Sequence, residues 1–155
     1  MTPAITLLQK KGVKHHVLKY EHDTNASSYG LEAVEKLELD ASTVFKTLVV
    51  STDKGSLAVA IVPVNRKLSE KKMAKALGAK KVTMAPSDEV MASTGYVLGG
   101  VSPLGQKKRL STVIHESASS LPTIHVSAGK RGLEVSLSPT DLAAVTQASF
   151  ADIST

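Results

Sequence analysis

Hydrophobic positions along the chain follow two patterns, and the change from one to the other predicts helices and strands. Apolar residues at helical spacing, typical of amphipathic helices, are most evident in YGLEAVEKLEL, residues 29–39. In that stretch Glu32, Glu35 and Glu38 are expected on solvated faces. Capping residues, prolines and glycines set the ends of the other candidates. The predicted helices cover 3–11, 29–39, 69–78, 86–95 and 139–147.

The second pattern, continuous or alternating apolar residues, predicts strands. The stretch 43–51 is almost continuously apolar, as in a central strand, and 57–64 is expected to return antiparallel to it after a TDKGS turn. Together the elements predict a single α+β domain over 1–155, with a mixed, mostly antiparallel sheet of about six or seven strands and several flanking helices. The shorter predicted strands cover 14–20, 80–85, 110–116, 123–129 and 132–138.

The composition excludes several kinds of site before any motif is considered. The chain has 155 residues and no cysteine, so disulfides, thiolate metal sites and a cysteine nucleophile are ruled out. The five histidines do not assemble into a metal motif, so we expect no metal and no cofactor. No apolar run reaches the roughly 18 residues that span a bilayer, and the first residues lack the pattern of a signal peptide. We therefore expect a cytoplasmic protein with no membrane partner.

The balance of charges is basic, with a formal net charge of +5. Such a surplus is compatible with a polyanionic partner such as RNA, although many small soluble proteins are mildly basic without binding one. The cations occur in clusters, and two clusters adjoin glycine-rich turns where a ligand can approach. These are Lys107-Lys108-Arg109 and Lys130-Arg131.

A single cation, Lys46, lies within the most hydrophobic stretch of the chain, TVFKTLVV. In a strand its side chain shares a face with Val44 and Leu48, whereas Phe45 and Thr47 point to the other face. One interpretation is an amphipathic lysine whose stem covers apolar surface while its amine reaches water. The other is a cation held in a cleft, positioned for a phosphate, a ribose hydroxyl or a carbonyl oxygen.

The segment TGYVLGGVSPLGQKKR, residues 94–109, contains four glycines and ends in three cations. Gly100 and Gly105 have the spacing of a phosphate loop, but Gln106 and Lys107 follow where the nucleotide-binding motif needs Lys and then Ser or Thr. Hydrolysis of ATP or GTP is therefore rejected. The segment is either a compact loop that turns the chain, or a wall of backbone N–H and C=O groups offered to a small substrate.

The order of these motifs resembles the YbaK family of Cys-tRNA(Pro) deacylases over essentially the whole chain. The wider superfamily includes the editing domain of bacterial prolyl-tRNA synthetases, whose GxxxP loop is matched by Gly99 and Pro103 and whose key lysine is matched by Lys46. The resemblance implies an enzyme that clears Cys-tRNA(Pro) in trans, with the substrate's own thiol attacking its ester carbonyl. The matching segments are MTPAITLLQKKGV, Tyr20, FKTLVV, STGYVLGGVSPLGQKKR and TIHVSAGKRGLEVSLSPTDL.

The resemblance also implies which residues form the site. Lys46 and the backbone of Gly100 are expected to be catalytic. For Glu134 a solvated carboxylate is the alternative. The substrate-binding residues implied are Tyr20, Tyr29, Thr47, Gly99, Ser102, Pro103 and Glu134. The tRNA contacts implied are Lys107, Lys108, Arg109, Lys130 and Arg131.

The expected partners are the acceptor end of a mischarged tRNA and, in a ternary complex, prolyl-tRNA synthetase. The chain itself is expected to be a monomer. Two alternatives stay open at this point. One is a deacylase for another mischarged tRNA, such as Ala-tRNA(Pro), that uses water as the nucleophile. The other is a non-catalytic module that binds tRNA or a synthetase.

Overall fold

A computed structural model of the protein describes residues 1–26 and 28–155. The described residues form five α-helices and eight strands. The helices are α1 (Pro3–Lys10), α2 (Tyr29–Lys36), α3 (Glu70–Leu77), α4 (Ser87–Thr94) and α5 (Pro139–Thr146). The strands are β1 (His16–Lys19), β2 (Phe45–Thr52), β3 (Leu57–Pro63), β4 (Val82–Met84), β5 (Ser111–His115), β6 (Ile124–Lys130), β7 (Leu133–Leu137) and β8 (Ser149–Ala151).

The strands form two sheets, one of three strands and one of five. In the smaller sheet β7 is central, and β1 and β6 pair with it in antiparallel orientation. The larger sheet has the order β4-β2-β3-β5-β8. Its strand β2 pairs antiparallel with β3 and β4, whereas β5 pairs in parallel with β3 and β8. The predicted α+β class with mixed, mostly antiparallel pairing is confirmed.

The capping residues that predicted the helices act as caps in the structure. The Ser69 hydroxyl accepts a hydrogen bond from the Lys72 N–H at 3.1 Å, which satisfies one of the free donors at the start of α3. Gly78 and Gly95 end α3 and α4 with φ angles of 70° and 82°. These angles lie in the left-handed region that glycine adopts without a steric penalty, so both helices end where the sequence indicates.

The core is built on both faces of β2. Phe45 and Val49 belong to the main hydrophobic cluster, together with Val126 of β6 and Val135 of β7, so the two sheets pack against each other. On the opposite face, Val50 belongs to a second cluster with residues of α3. Burial on both faces explains why this strand is almost continuously apolar.

Among the described residues, an isolated main-chain bridge joins the smaller sheet to the start of β2. Val44, immediately before β2, forms an isolated parallel bridge with His125 of β6. Within the described ranges, no further bridge joins β2 to β6 beyond that point. Beyond this bridge the two strands therefore form no ladder with each other, and they belong to different sheets.

The structure differs from the sequence prediction in three respects. The strands form two sheets rather than one, because among the described residues β1, β6 and β7 form ladders only with each other, apart from the single bridge to Val44. The closing segment, which carried no predicted element, contributes β8 as an edge strand. Glu32, which was expected on a solvated face of its helix, is buried. No helix in the described part of the chain is long and apolar enough to cross a membrane.

Candidate functional site

A cavity of about 310 Å³ lies beside the first half of β2 and the smaller sheet. This volume is at the lower end of the range of roughly 300–1,000 Å³ that is typical of small-molecule sites. The start of α2, the first half of β2, the smaller sheet and the glycine-rich segment all contribute to its walls. The lining residues are Tyr20, Ser28, Tyr29, Gly30, Val44, Phe45, Lys46, Thr47, Leu48, Leu98, Gly99, Val101, Ser127 and Glu134.

In its first half, which lines this cavity, β2 has one edge with which no described strand pairs. The Val49 carbonyl accepts a hydrogen bond from the Ala85 N–H at 3.0 Å, on the side opposite β3. Because the direction of hydrogen bonding alternates along an antiparallel strand, the peptide groups of Thr47 point to the same side. Strand β4 pairs with β2 only from Val50 onward, and no other described strand covers the edge at Thr47. The Thr47 hydroxyl is also buried without a hydrogen-bond partner among the described residues.

Lys46 lies at this open edge, and its side chain is half-buried. Side chains of β2 alternate between its two faces as expected, since Phe45 packs into the main core and Leu48 packs against the second cluster. Burial lowers the pKa of Lys46, and the positive charge of Lys67 lowers it further. Within the described ranges, no carboxylate lies close enough to Lys46 to form an ion pair. The cavity therefore contains a partly desolvated cation with no protein counter-ion.

Tyr20 and Glu134 lie side by side on the smaller sheet. Glu134 in β7 pairs with Leu18 of β1 and with Ser127 of β6, and Tyr20 is two residues beyond Leu18 on the same face. Glu134 is only 7% exposed, which excludes the solvated carboxylate. Burial raises the pKa of Glu134 to about 8, so its carboxyl is largely uncharged at neutral pH. Burial also raises the pKa of Tyr20, and the negative charge that Glu134 carries above its own pKa adds to the increase.

Gly99 brings the glycine-rich segment to the mouth of the cavity. Its φ is 86°, and a β-carbon at this position would lie 2.5 Å from Cε2 of Tyr29 and 2.7 Å from Nε of Arg131. The guanidinium carbon of Arg131 lies 4.1 Å from the centroid of the Tyr29 ring. Its Nη2 donates a hydrogen bond to the Leu98 carbonyl at 3.0 Å. The glycine is required here by both its backbone angle and its close neighbours.

Three residues of the predicted site do not line the cavity. The Gly100 N–H donates to the Val97 carbonyl at 3.0 Å, so this donor is not free to bind an oxyanion. Ser102 is fully buried, and its hydroxyl accepts a hydrogen bond from the Leu104 N–H at 3.2 Å. Pro103 lines a second cavity instead. The glycine-rich segment thus contacts the first cavity only through its first half.

The two basic clusters have different surroundings. Lys107, Lys108 and Arg109 line the second cavity, of about 280 Å³, with residues of α1 and α5. In the part of the chain that the structure describes, none of the three forms an ion pair. Lys130 and Arg131 lie instead at the turn between β6 and β7, against the glycine-rich segment that borders the first cavity.

Glu32, near the cavity, was predicted on a solvated face of its helix but is buried. Its carboxylate binds Nδ1 of His22 and the N–H of Asp23, each at 2.7 Å. Burial alone would raise the pKa of Glu32, but these two hydrogen bonds and the nearby cations lower it below its usual value. The contacts hold His22 and Asp23, shortly after Tyr20, against α2, whose first residue is Tyr29. Tyr20 and Tyr29 both line the cavity. The helical spacing of apolar residues could not indicate this burial. His22 and Asp23, which contact Glu32, lie in a loop with no hydrophobic pattern.

Three comparisons relate the chain to known proteins. The model of the aminoacyl-tRNA editing domain matches residues 24–145. The chain is 38% identical over 155 residues to the "Putative Cys-tRNA(Pro)/Cys-tRNA(Cys) deacylase EbsC" of Enterococcus faecalis, and the match covers 99% of this chain and 93% of that protein. It is 37% identical over 101 residues to the proline–tRNA ligase of Shouchella clausii, which covers 65% of this chain and 18% of the ligase. A crystal structure described as "a putative trans-editing enzyme for prolyl tRNA synthetase" has the same fold, with a TM-score of 0.87 at 23% identity over 99% of this chain and 95% of that one.

Proposed function

Since the chain belongs to the aminoacyl-tRNA editing domain family, we propose that it deacylates Cys-tRNA(Pro) and that the cavity beside β2 holds the aminoacylated 3′ end. The family makes the protein an aminoacyl-tRNA deacylase, and the resemblance stated from the sequence is confirmed. One observation carries the choice of cavity: the half-buried Lys46 and the buried, uncharged Glu134 line the same cavity. Because tRNA is charged in the cytoplasm, the proposal includes cytoplasmic residence.

The nucleophile in this proposal belongs to the substrate. The chain has no cysteine, and no histidine is found among the described residues that line the cavity to activate a serine there. The cysteinyl thiol attacks its own ester carbonyl, so a C–S bond forms and the C–O bond to the ribose breaks. The proton lost by the thiol is taken up by the departing ribose oxygen, and the products are a thiolactone and free tRNA. The protein then needs to fold the aminoacyl group, not to supply a nucleophile.

Holding the reacting groups together is a sufficient task for such a cavity. Well-oriented intramolecular reactions gain roughly 7–11 kcal/mol from proximity alone. Lys46 is placed to bind the terminal phosphate or ribose, or to polarise the ester carbonyl. Tyr20 and the uncharged Glu134 contact the amino-acid end, where a protonated carboxyl can donate a hydrogen bond. Tyr29, Thr47 and Gly99 complete the walls.

The residues outside the cavity have supporting roles in the proposal. Gly100, Ser102 and Pro103 fix the course of the glycine-rich segment, since the Gly100 N–H and the Ser102 hydroxyl are engaged within it. The acceptor stem contacts the free cations Lys107, Lys108, Arg109 and Lys130. Prolyl-tRNA synthetase, which mischarges tRNA(Pro) with cysteine, supplies the substrate in a ternary complex with the monomeric deacylase.

The proposal is tested by measuring release of amino acid from Cys-tRNA(Pro) by wild type, Lys46→Ala and Lys54→Ala. Lys54 lies exposed in the turn between β2 and β3 and controls for the loss of one positive charge. We expect rapid release by wild type and Lys54→Ala, with a loss of about a hundredfold or more in Lys46→Ala, as for removal of a single transition-state donor. Early trapping of a thiolactone supports attack by the substrate thiol.

Two other outcomes would each favour a different function. If Ala-tRNA(Pro), which has no thiol, is cleaved as fast as Cys-tRNA(Pro), then water is the nucleophile and the thiol mechanism is wrong. If wild type binds tRNA with a marked salt dependence but releases no amino acid above the spontaneous rate, the chain is a binding module.

A further inference from the structure

One side chain, Arg131, contacts two separate segments that border the cavity. Its guanidinium lies over the ring of Tyr29, the first residue of α2, at 4.1 Å from the ring centroid. The same group donates from Nη2 to the Leu98 carbonyl at 3.0 Å. Tyr29 and Leu98 both line the cavity, as does Gly99 between Leu98 and the rest of the segment. Arg131 therefore joins the start of α2 to the glycine-rich segment at the cavity mouth.

The contacts depend on the shape of the arginine side chain as well as on its charge. A guanidinium is flat, so it stacks on an aromatic ring with one face while it donates hydrogen bonds in its own plane. A lysine amine can do only one of these at a time. Gly99 leaves the space for this arrangement, since a β-carbon there would lie 2.7 Å from Nε of Arg131.

The adjacent cation, Lys130, offers a direct contrast. Both residues are exposed and both lie at the turn between β6 and β7. Among the described residues, the amine of Lys130 has no hydrogen bond or ion pair, whereas the guanidinium of Arg131 has a ring and a carbonyl as partners. The two neighbouring positive charges at this turn therefore differ in their contacts within the protein. Lys130 is available to a phosphate, and Arg131 is occupied within the protein.

We propose that Arg131 is a positioning residue that fixes Tyr29 against the glycine-rich segment and so sets the shape of the cavity mouth, rather than a contact for tRNA phosphates. This inference rests on the proposed function, because it takes the cavity as the place where the aminoacyl end reacts. The family resemblance implied that Lys130 and Arg131 both contact tRNA. The proposal keeps this role for Lys130 and replaces it for Arg131.

The test compares Arg131→Met, Arg131→Lys and Lys130→Met in deacylation of Cys-tRNA(Pro) at several salt concentrations. The two Met variants each remove one positive charge from the same turn. We expect both Arg131 variants to lose about ten- to a hundredfold in kcat, since a misplacement of about 1 Å can cost a hundredfold. Their KM and salt dependence stay close to those of wild type. Lys130→Met keeps kcat, raises KM and lowers the slope of log affinity against log salt by about 0.7–0.9, the share of one phosphate contact.

Three results would overturn the inference, and they are distinguishable. If Arg131→Lys has the kcat of wild type, charge alone suffices and the stacked geometry is irrelevant. If Arg131→Met behaves like Lys130→Met, Arg131 is a phosphate contact. A wild-type protein that releases no amino acid would overturn the proposed function, and the inference with it. Should Arg131→Met fail to fold, Arg131→Lys alone decides, because it retains the charge and the aliphatic stem.

Discussion

Gly99 lies so close to Tyr29 that any side chain at position 99 would meet the tyrosine ring, with a β-carbon only 2.5 Å from Cε2. Its φ of 86° adds a second restriction, since residues other than glycine rarely adopt this angle. The contact joins the glycine-rich segment to the start of α2 at the cavity mouth. Position 99 therefore requires glycine for two reasons. Its backbone angle is unfavourable for other residues, and a side chain would collide with Tyr29.

Gly99→Ala and Gly55→Ala separate these two parts. Gly55 has a φ of 81°, and a β-carbon there would meet nothing within 4 Å. We expect Gly55→Ala to cost about 1–2 kcal/mol of unfolding free energy from backbone strain alone and to keep full deacylase activity. Gly99→Ala should lose more stability and also at least about tenfold in activity, because Tyr29 must move. Thermal unfolding and deacylation rates measure both effects, and equal behaviour of the two variants would contradict the packing argument.

Glu134→Gln tests the buried carboxyl through the pH dependence of stability. The pKa of Glu134 is raised from 4.5 to about 8 by burial, so the folded protein holds a proton that the unfolded chain releases above about pH 4.5. The contribution of Glu134 to the free energy of unfolding should therefore be greatest below pH 4.5 and fall as the pH rises toward 8. At about 1.4 kcal/mol for each pKa unit, the fall amounts to a few kcal/mol.

The glutamine variant cannot ionise, so this fall should be absent from it while other groups still titrate. Urea unfolding of both proteins between pH 4 and 9 makes the comparison. If the difference between wild type and Glu134→Gln does not change over that interval, the carboxyl is ionised in the folded state and the pKa assignment is wrong.

Glu32→Gln is expected to have the opposite pH dependence. The hydrogen bonds from Asp23 and His22 lower the pKa of Glu32, so its stabilising effect is present above the unfolded value of about 4.5 and is lost as the pH falls below it. At pH 7 the variant should lose about 1–3 kcal/mol of unfolding free energy, the cost of disrupting a buried hydrogen-bonded group. Glu35→Gln, on an exposed position of the same helix, is the control and should change little. A loss of similar size at pH 3 would contradict the assignment.

Ser154→Ala should reduce stability without affecting the reaction. The buried Ser154 hydroxyl bonds Nε2 of His115 at 2.9 Å, so its removal leaves a buried ring nitrogen without that partner. We expect a loss of about 1–3 kcal/mol in unfolding free energy. Neither residue lines the cavity, so deacylation at 25 °C should be unchanged. Thr155→Ala, at the exposed end of the chain, is the matched variant that should keep full stability.

Local sequence signals predicted the elements of this fold well, because each signal acts over a few residues. Ser69 and Gly78 bound α3 as the sequence indicated, and the continuous apolar run of β2 indicated a strand buried on both faces. The cavity could not be predicted in the same way. Its walls combine residues as far apart in the sequence as Tyr20, Lys46 and Glu134, and no short pattern encodes contacts over that distance.

Backbone hydrogen bonds limited what the motifs could reveal about the site. Gly100 lies in the most distinctive segment of the sequence, yet its N–H is bound to the Val97 carbonyl. Residue type did not indicate this, since the availability of a backbone donor depends on the turn in which it lies. Arg131 and Lys130 are likewise equivalent in sequence as adjacent cations, and the Tyr29 ring and the Leu98 carbonyl, both partners of Arg131, distinguish them.

The uncovered edge of β2 beside the cavity has a consequence for the behaviour of the protein in solution. A strand edge with free peptide groups can pair with a strand of another molecule, and natural proteins oppose such aggregation with charged residues at the edge. No described strand pairs with this edge at Thr47, and Lys46 is the charge beside it. Replacement of Lys46 by an apolar residue should therefore promote self-association, measurable by light scattering, in addition to its effect on activity. The lysine that we propose binds the tRNA end is thus expected also to oppose pairing of this strand edge with another molecule.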